Sequence, residues 1–579
     1  MRPRFTLSKQ LAMERTWPLF IDLSVAAALL AGFYAMLWIA KFWFSAAIPE
    51  IAIHLAPAHL PLYAFYSIVR IFLAYALSLV FAIAYGYTAA YNKRLESLLI
   101  ATLDILQSIP VLSFLPGVML AMMSLFPSRQ IGIELGAILL IFTGEVWNMA
   151  FSFYTSLRSI PRELMEACEI NRFSRWQRLF QLELPFAAIG LIWNSIVSVA
   201  NGWFFLMVCE MFPVGSRNYR LPGLGSYLQT AASRGNFRAV TWGLVTMVLI
   251  IVMTDQLLWR PLIAWSDKFK FETLESEERV TSPVLHALRN SRVLATLERR
   301  TFRPMSEWFY TALADRRRDQ KPHAPPGENR RGVTAACVIA GLALLSAIGF
   351  AALHAALLLQ QIHRGEFLTL LAGAGLTFLR VSAALILGSL WTIPVGVAIG
   401  FQPRLSHLLQ PIAQIAASFP ATALFPLILI GLETLGVSLG FGSVVLMLLA
   451  AQWYILFNVI AGAQAIPSEF KEIATLFRFS TVQRWTTVIL PGIFPFLITG
   501  LITASGGAWN ASIVAEYFQL RGHTLMTLGL GAQISAASDQ ANYAVLLGGT
   551  MIMALMVVTI NRLVWRPLYR LAETKYRLD

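Results

Sequence analysis

The sequence predicts an all-α membrane protein, built as two parallel-repeat six-helix transmembrane domains with about 12 transmembrane helices in all. Three observations carry that prediction. The 579 residues are 57% hydrophobic and 13% charged, with a mean hydropathy of +0.64, where soluble domains run to about 25% charged. Many apolar runs exceed the roughly 18 residues needed to cross a bilayer core. The second half repeats the first, at an offset of 310 residues early on (Arg70/Arg380, Gly86/Gly396, Pro110/Pro420) and 306 from Trp147/Trp453 to the end.

The first six spans are read at Leu19–Ile39, Tyr63–Ala90, Leu98–Leu125, Ile131–Phe153, Phe186–Val208 and Ala239–Leu262. Their repeat partners are Thr334–Leu359, Leu370–Gly400, Leu408–Leu432, Val437–Ile460, Gly492–Val514 and Ala544–Leu563. These give a first domain over 1–265, a second over 332–579 and, between them, a charged cytoplasmic linker over 266–331 that holds Arg316-Arg317-Arg318 and no apolar run. The basic N-terminal tail is followed by an apolar stretch without a small-residue cleavage site, so that stretch is read as a retained first helix. The net charge of +14 could suggest nucleic acid. The basic residues lie mostly between spans, however, and read as positive-inside signals that place both termini in the cytoplasm. Arg217, Arg220, Arg234 and Arg238, in the loop after the fifth span, fall outside and serve something other than orientation. The three cysteines, Cys168, Cys209 and Cys337, have no pairing or metal spacing.

The longest polar run of the first half that lies between two spans ends at Pro185, and it returns in the second half. Ile160–Pro185 and Ile466–Pro491 align without a gap, with identity at eleven of 26 positions. Pro161 and Pro467 suit a first helical turn, and Glu163 and Glu469 sit near the positive end of its dipole. Ser174-x-x-Gln177 and Ser480-x-x-Gln483 read as capping boxes that open a second short helix. Each copy is too polar for lipid and projects into water as a helical hairpin.

This pattern resembles the EAA loop of binding-protein-dependent ABC transporter permeases. It stands as Glu166-Ala167-Cys168 through Leu182, Leu184 and Pro185, and as Glu472-Ile473-Ala474 through Val488, Leu490 and Pro491. The family's glycine falls at Arg172 and Arg478. Either the break is shaped differently here, or the arginines have a task of their own. The resemblance implies the MetI-like fold of a type I ABC importer, in a multi-pass protein of the bacterial inner membrane. It implies a cytoplasmic ABC ATPase dimer docking on Glu163, Glu166, Arg172, Ser174, Gln177, Pro185 and their partners Glu469, Glu472, Arg478, Ser480, Gln483, Pro491. It also implies a periplasmic or lipid-anchored substrate-binding protein.

Glu210 and Glu516 follow Trp203 and Trp509 by seven residues, at the outer end of the fifth spans, and the Gly223-Leu224-Gly225 and Gly529-Leu530-Gly531 turns come next. With Arg70 and Arg380 in the second spans, this set looks like the nitrate, sulfonate and taurine branch of the family, which handles mostly small anions; bicarbonate and a neutral pyrimidine are also among the candidates. These six residues are the pathway or outer-gate candidates. Arg70 and Arg380 can meet an anion or snorkel as anchors near the outer interface. The glutamates would repel an anion, and read better as holding the outer loop or contacting the binding protein. Glu134 and Glu145 have no second-copy equivalents and read as capping or interhelical residues.

No soluble catalytic constellation is found. The chain has no Gly-x4-Gly-Lys-Ser/Thr loop to bind a nucleotide, so it is read as no enzyme, with no cofactor or metal of its own and with ATP bound by a partner. A membrane enzyme would need paired carboxylates or a metal cluster in the bundle. An ion-coupled secondary transporter of six plus six helices also has parallel halves. It would carry its signature between spans two and three, where this chain has only Tyr91–Glu96. The fifth spans of the two halves are expected to line a central path, with Gly202, Gly506 and Gly507 allowing close approach.

Overall fold

The computed structural model describes residues 51–269 apart from 128 and 215–216, parts of 283–308, residues 352–575 apart from 521–522, and isolated positions. The expected first span and most of the linker lie outside the described residues. So does most of the seventh expected span, of which 352–359 is helical.

The first repeat runs α1 (Leu60–Tyr91), α2 (Glu96–Ser108), α3 (Leu115–Leu125), α4 (Gln130–Arg158), α5 (Arg162–Ile170) and α6 (Leu184–Cys209). A two-stranded hairpin follows, β1 (Met211–Val214) with β2 (Arg217–Arg220), then α7 (Leu224–Ser233) and α8 (Phe237–Thr254). The second repeat answers element by element: α9 (Arg364–Phe401), α10 (Pro403–Ser418), α11 (Ala421–Thr434), α12 (Leu439–Ala465), α13 (Ser468–Leu476) and α14 (Leu490–Ala515). It closes with β3 (Tyr517–Leu520) paired to β4 (His523–Met526), α15 (Leu530–Asp539) and α16 (Tyr543–Ile560).

Among the described residues eight helices are long and apolar enough to cross a membrane. The third expected span of each repeat is not one of them. It is two helices, broken before Pro110 and before Pro420, where Ile109 and Phe419 take extended backbone. Proline disfavours helical geometry in the residue before it and has no N–H to continue a helix. Apolar length alone does not reveal that break.

Both fifth spans begin with a π-helical turn, Leu179–Glu183 and Arg484–Ile489, and the ends of α8 and α16 carry another pair, Asp255–Trp259 and Asn561–Trp565. A π-turn brings residues five apart onto one face. In the first repeat Arg178 and Glu183 use it, pairing at 2.6 Å, and the Tyr91 hydroxyl donates to the same Glu183 oxygen at 2.6 Å. The second repeat has Arg484 with Ile489 and Phe401 at those places, so the ion pair has no counterpart there.

One apolar core runs through both repeats. Direct contacts also cross between them: the Tyr454 hydroxyl donates to the Asn201 side-chain carbonyl, and the Thr550 hydroxyl donates to the Ser113 carbonyl at 3.0 Å.

Candidate functional site: two polar hairpins and two buried clasps

The polar hairpins form as the sequence reads. Ser174 Oγ accepts from the Gln177 N–H at 3.2 Å, and the Gln177 side chain accepts from the Ser174 N–H at 2.8 Å. Ser480 and Gln483 repeat this at 3.3 and 2.8 Å. Glu163 and Glu469 lie in the first turn of α5 and α13, while Pro161 and Pro467 take the N-cap, one residue before the turn expected.

The break between the two short helices is left-handed. Arg172 has φ 53° and Arg478 has φ 51°. Phe173 N–H donates to the Cys168 carbonyl and Arg172 N–H to that of Glu169, each at 2.9 Å, and Phe479 and Arg478 do the same to Ala474 and Thr475. This is a Schellman motif, which glycine normally closes. The turn is therefore the one a glycine would make, held by an arginine at a conformational cost of roughly 1–2 kcal/mol. Both arginines, Glu166 and Glu472 are exposed. Beside them Ile170 is 81% exposed and its repeat partner Leu476 79%. The same exposed apolar position thus recurs in both copies.

At the opposite end of the bundle lie two buried clasps. Arg70 is 1% exposed. Its guanidinium meets Glu134 at 2.6 and 2.8 Å and Glu210 at 2.7 Å, and donates to the Pro222 carbonyl at 2.9 Å. Glu210 also accepts from the Ser67 hydroxyl and from the Gly225 N–H at the start of α7, each at 2.6 Å. Carboxylate, helix N-terminus and arginine thus pin the returning β1–β2 loop onto α1. Gly223 permits this closeness: a Cβ there would lie 2.2 Å from the Glu210 carboxylate.

The second clasp has the same plan with one acid fewer. Arg380 meets Glu516 at 2.8 Å and the Leu528 carbonyl at 2.8 Å, and Glu516 accepts from Thr377 at 2.8 Å and from the Gly531 N–H at 2.9 Å. Gly440 stands at the place of Glu134. There the Arg380 guanidinium reaches the Thr527 hydroxyl instead, at 3.0 Å.

These clasps correct the reading of Arg70. It neither snorkels nor presents a free cation, because two carboxylates and a carbonyl take its donors. Trp203 is 4% and Trp509 1% exposed, so both pack in the core. Glu210 and Glu516 accept from backbone N–H groups beyond the fifth spans, at Gly225 and Gly531. Sequence reasoning missed Glu134 as the partner of Arg70. It had no second-copy equivalent to mark it, and the four-residue spacing change between the third and fourth spans hid the swap with Gly440.

Between the hairpins and the clasps, Asn201 of α6 meets Tyr454 of α12, and a Cβ on Gly507 of α14 would lie 3.2 Å from the Tyr454 ring. The expected close approach of the two fifth spans is therefore bridged by a ring from the fourth span of the second repeat. Nearby on α4, both carboxylate oxygens of Glu145 are buried and unpartnered among the described residues. They face Gly202, where a Cβ would come within 2.1 Å of Oε1. At the equivalent places the second repeat has Ala451 and Ala508.

Duplicated broken-helix bundles, paired polar hairpins and a shared core define a multi-pass helical membrane protein made of two fused repeats. The binding-protein-dependent transport system inner membrane component family matches the chain twice, over residues 78–257 and 392–572. The two matches cover more than half of the chain, which belongs to that family, one of transport components and not of enzymes. Relatives include the nitrate import permease protein NrtB of Synechocystis sp., 29% identical over 23% of this chain and 46% of the relative. The bicarbonate transport system permease protein CmpB of the same organism is 29% identical over 26% of this chain and 52% of the relative. The taurine transport system permease protein TauC of Escherichia coli is 28% identical over 31% and 62%. The chain spans about half the length of the curated relatives it matches.

Proposed function

We propose that this chain is the fused transmembrane permease of an ABC importer, moving a small anion of the nitrate, bicarbonate, taurine or sulfonate class across the bacterial inner membrane. The observation that carries the reading is the pair of hairpins. Each is capped by the same Ser–Gln box, turned by the same left-handed arginine and tipped by an exposed apolar residue, Ile170 or Leu476. The hairpins face the cytoplasm, as do both termini. Each docks in a cleft of one subunit of an ATPase dimer, with Glu166 and Glu472 on the docking helix. The clasp end faces the periplasm and receives a substrate-binding protein, periplasmic or lipid-anchored. Division of the chain at 265 and 332, with a cytoplasmic linker, belongs to the same reading.

The second class, an ion-coupled secondary transporter, differs in its energy source, and one experiment separates the two. Glu166→Lys with Glu472→Lys reverses charge on both docking helices without touching the bundle. The double variant is expected to insert normally and to lose ligand-stimulated ATP hydrolysis by the assembled complex. Retention of that stimulation removes the docking assignment. Uptake that persists without any ATPase and collapses with the ion gradient makes the chain a secondary transporter.

A further inference from the structure

The first repeat holds a cavity of about 210 Å3 lined by Gln107 of α2, Asn148, Phe151, Ser152 and Thr155 of α4, and Asn194 of α6. Five of these six side chains are polar and none is charged. The repeat partners are Ala417, Tyr454, Phe457, Asn458, Ala461 and Gly500. Three of the five polar positions become alanine or glycine; of the other two, Tyr454 is engaged with Asn201 and Asn458 donates to the Tyr454 carbonyl at 2.8 Å, and a Cβ on Gly500 would lie 2.9 Å from that of Asn458. The polar lining is thus fuller in the first repeat, where five such positions cluster against two in the second.

Its direction follows from the pseudo-symmetry. Asn194 and Asn201 are seven residues apart on α6, on one face and about 10 Å apart along the axis. Asn201 meets Tyr454 across the junction between the repeats, and Asn148 is itself the repeat partner of Tyr454. The cavity therefore faces that junction, on the hairpin side of the Tyr454–Asn201 contact. Polar side chains at membrane depth turn toward a bundle interior or a watered path rather than lipid.

The lining has spare hydrogen-bonding capacity. Asn194 gives one N–H to the Gly190 carbonyl at 2.9 Å, leaving a second N–H and its carbonyl oxygen. The Thr155 hydroxyl donates into its own helix at 3.0 Å, leaving its oxygen as an acceptor. Among the described residues no hydrogen bond holds the amides of Gln107 and Asn148. The arginines in the second spans, Arg70 and Arg380, are by contrast each paired with a carboxylate in a clasp.

We propose that this cavity is a one-sided solute site on the translocation path, taking a small oxyanion on neutral amide and hydroxyl groups rather than on a cation, with Tyr454–Asn201 as the closure on its outer side. The proposal rests on the permease reading above. Neutral dipoles suit a transit site, where binding must favour arrival and still allow departure.

The test replaces Cys168, Cys209 and Cys337 by serine in the full chain, then introduces Asn148→Cys or Ser152→Cys, with Asn458→Cys as the second-repeat control. Membranes opened to both sides are labelled with a small anionic methanethiosulfonate, alone and with nitrate, bicarbonate or taurine. Positions 148 and 152 are expected to react, and one of the three solutes to slow them about tenfold at ten times its dissociation constant, with position 458 unaffected. No protection by any of the three, equal protection at 458, or no reaction at either first-repeat position overturns the site. Uptake of the three solutes by cells carrying the intact transporter is measured in parallel. Uptake without protection removes the cavity and leaves the permease reading standing. Absence of both removes the anion class as well.

Discussion

Arg172 and Arg478 occupy a backbone conformation that glycine adopts freely, and both copies accept the cost. A local reason would be a cation near a helix C-terminus, worth about 0.3–1 kcal/mol. That falls short of the strain of roughly 1–2 kcal/mol, which leaves room for a further contribution. A charge-assisted contact with an acidic group on the ATPase can supply it. The double variant Arg172→Gly with Arg478→Gly is expected to leave the membrane chain at least as stable as the parent, by thermal unfolding in detergent. It is also expected to weaken ATPase binding at low salt by about tenfold or more, as for a lost charged contact. Unchanged binding across a salt titration would make the arginines purely local.

Gly202 and Glu145 are a matched pair of large and small where the second repeat uses Ala451 and Ala508. Gly202→Ala places a methyl 2.1 Å from the Glu145 carboxylate, and overpacking of this kind costs about 1–3 kcal/mol. The single variant should therefore lower the thermal midpoint. Adding Glu145→Ala recreates the second-repeat pairing and should recover the loss. No recovery would mean that Glu145 itself supports the bundle.

At the scale of elements, the two clasps make the same attachment with different charge. Replacing Arg70 by methionine leaves Glu134 and Glu210 buried without their cation, and loss of one partner of a buried pair costs about 3–5 kcal/mol. Arg380→Met leaves only Glu516, and the Arg380 side chain is 13% exposed, so it should destabilise less. Paired thermal unfolding measurements check the order, and an equal or reversed effect would contradict the three-membered first clasp.

Much of this level was legible from the repeat. The hairpins, their caps and the glutamates at the ends of the fifth spans are marked twice, and two copies at fixed spacing are a strong signal. Features present in one copy were not legible. Glu134 became a partner of Arg70 only when α1 and α4 were packed together. The breaks at Pro110 and Pro420 were written in the sequence, yet apolar content on both sides reads as one continuous span. The burial of Arg70 was not legible either, because a charge near a span end reads equally as an anchor until its partners are seen.

For the whole molecule, the consequence of duplication is that both halves of a two-fold bundle come from one chain. Tyr454 reaches Asn201 across the repeats, Thr550 reaches Ser113, and the apolar core is shared. The two halves nonetheless differ: the first holds Glu134 and Glu145 where the second has Gly440 and Ala451, and the second holds Tyr454 where the first has Asn148. On the function proposed above, a single chain presents two docking hairpins to two ATPase subunits. Native mass spectrometry of the complex purified from its own membrane tests this most directly. The expected species contains one 64.3 kDa chain and two ATPase subunits, whereas two copies of this chain per complex, or a single ATPase on each, would contradict it.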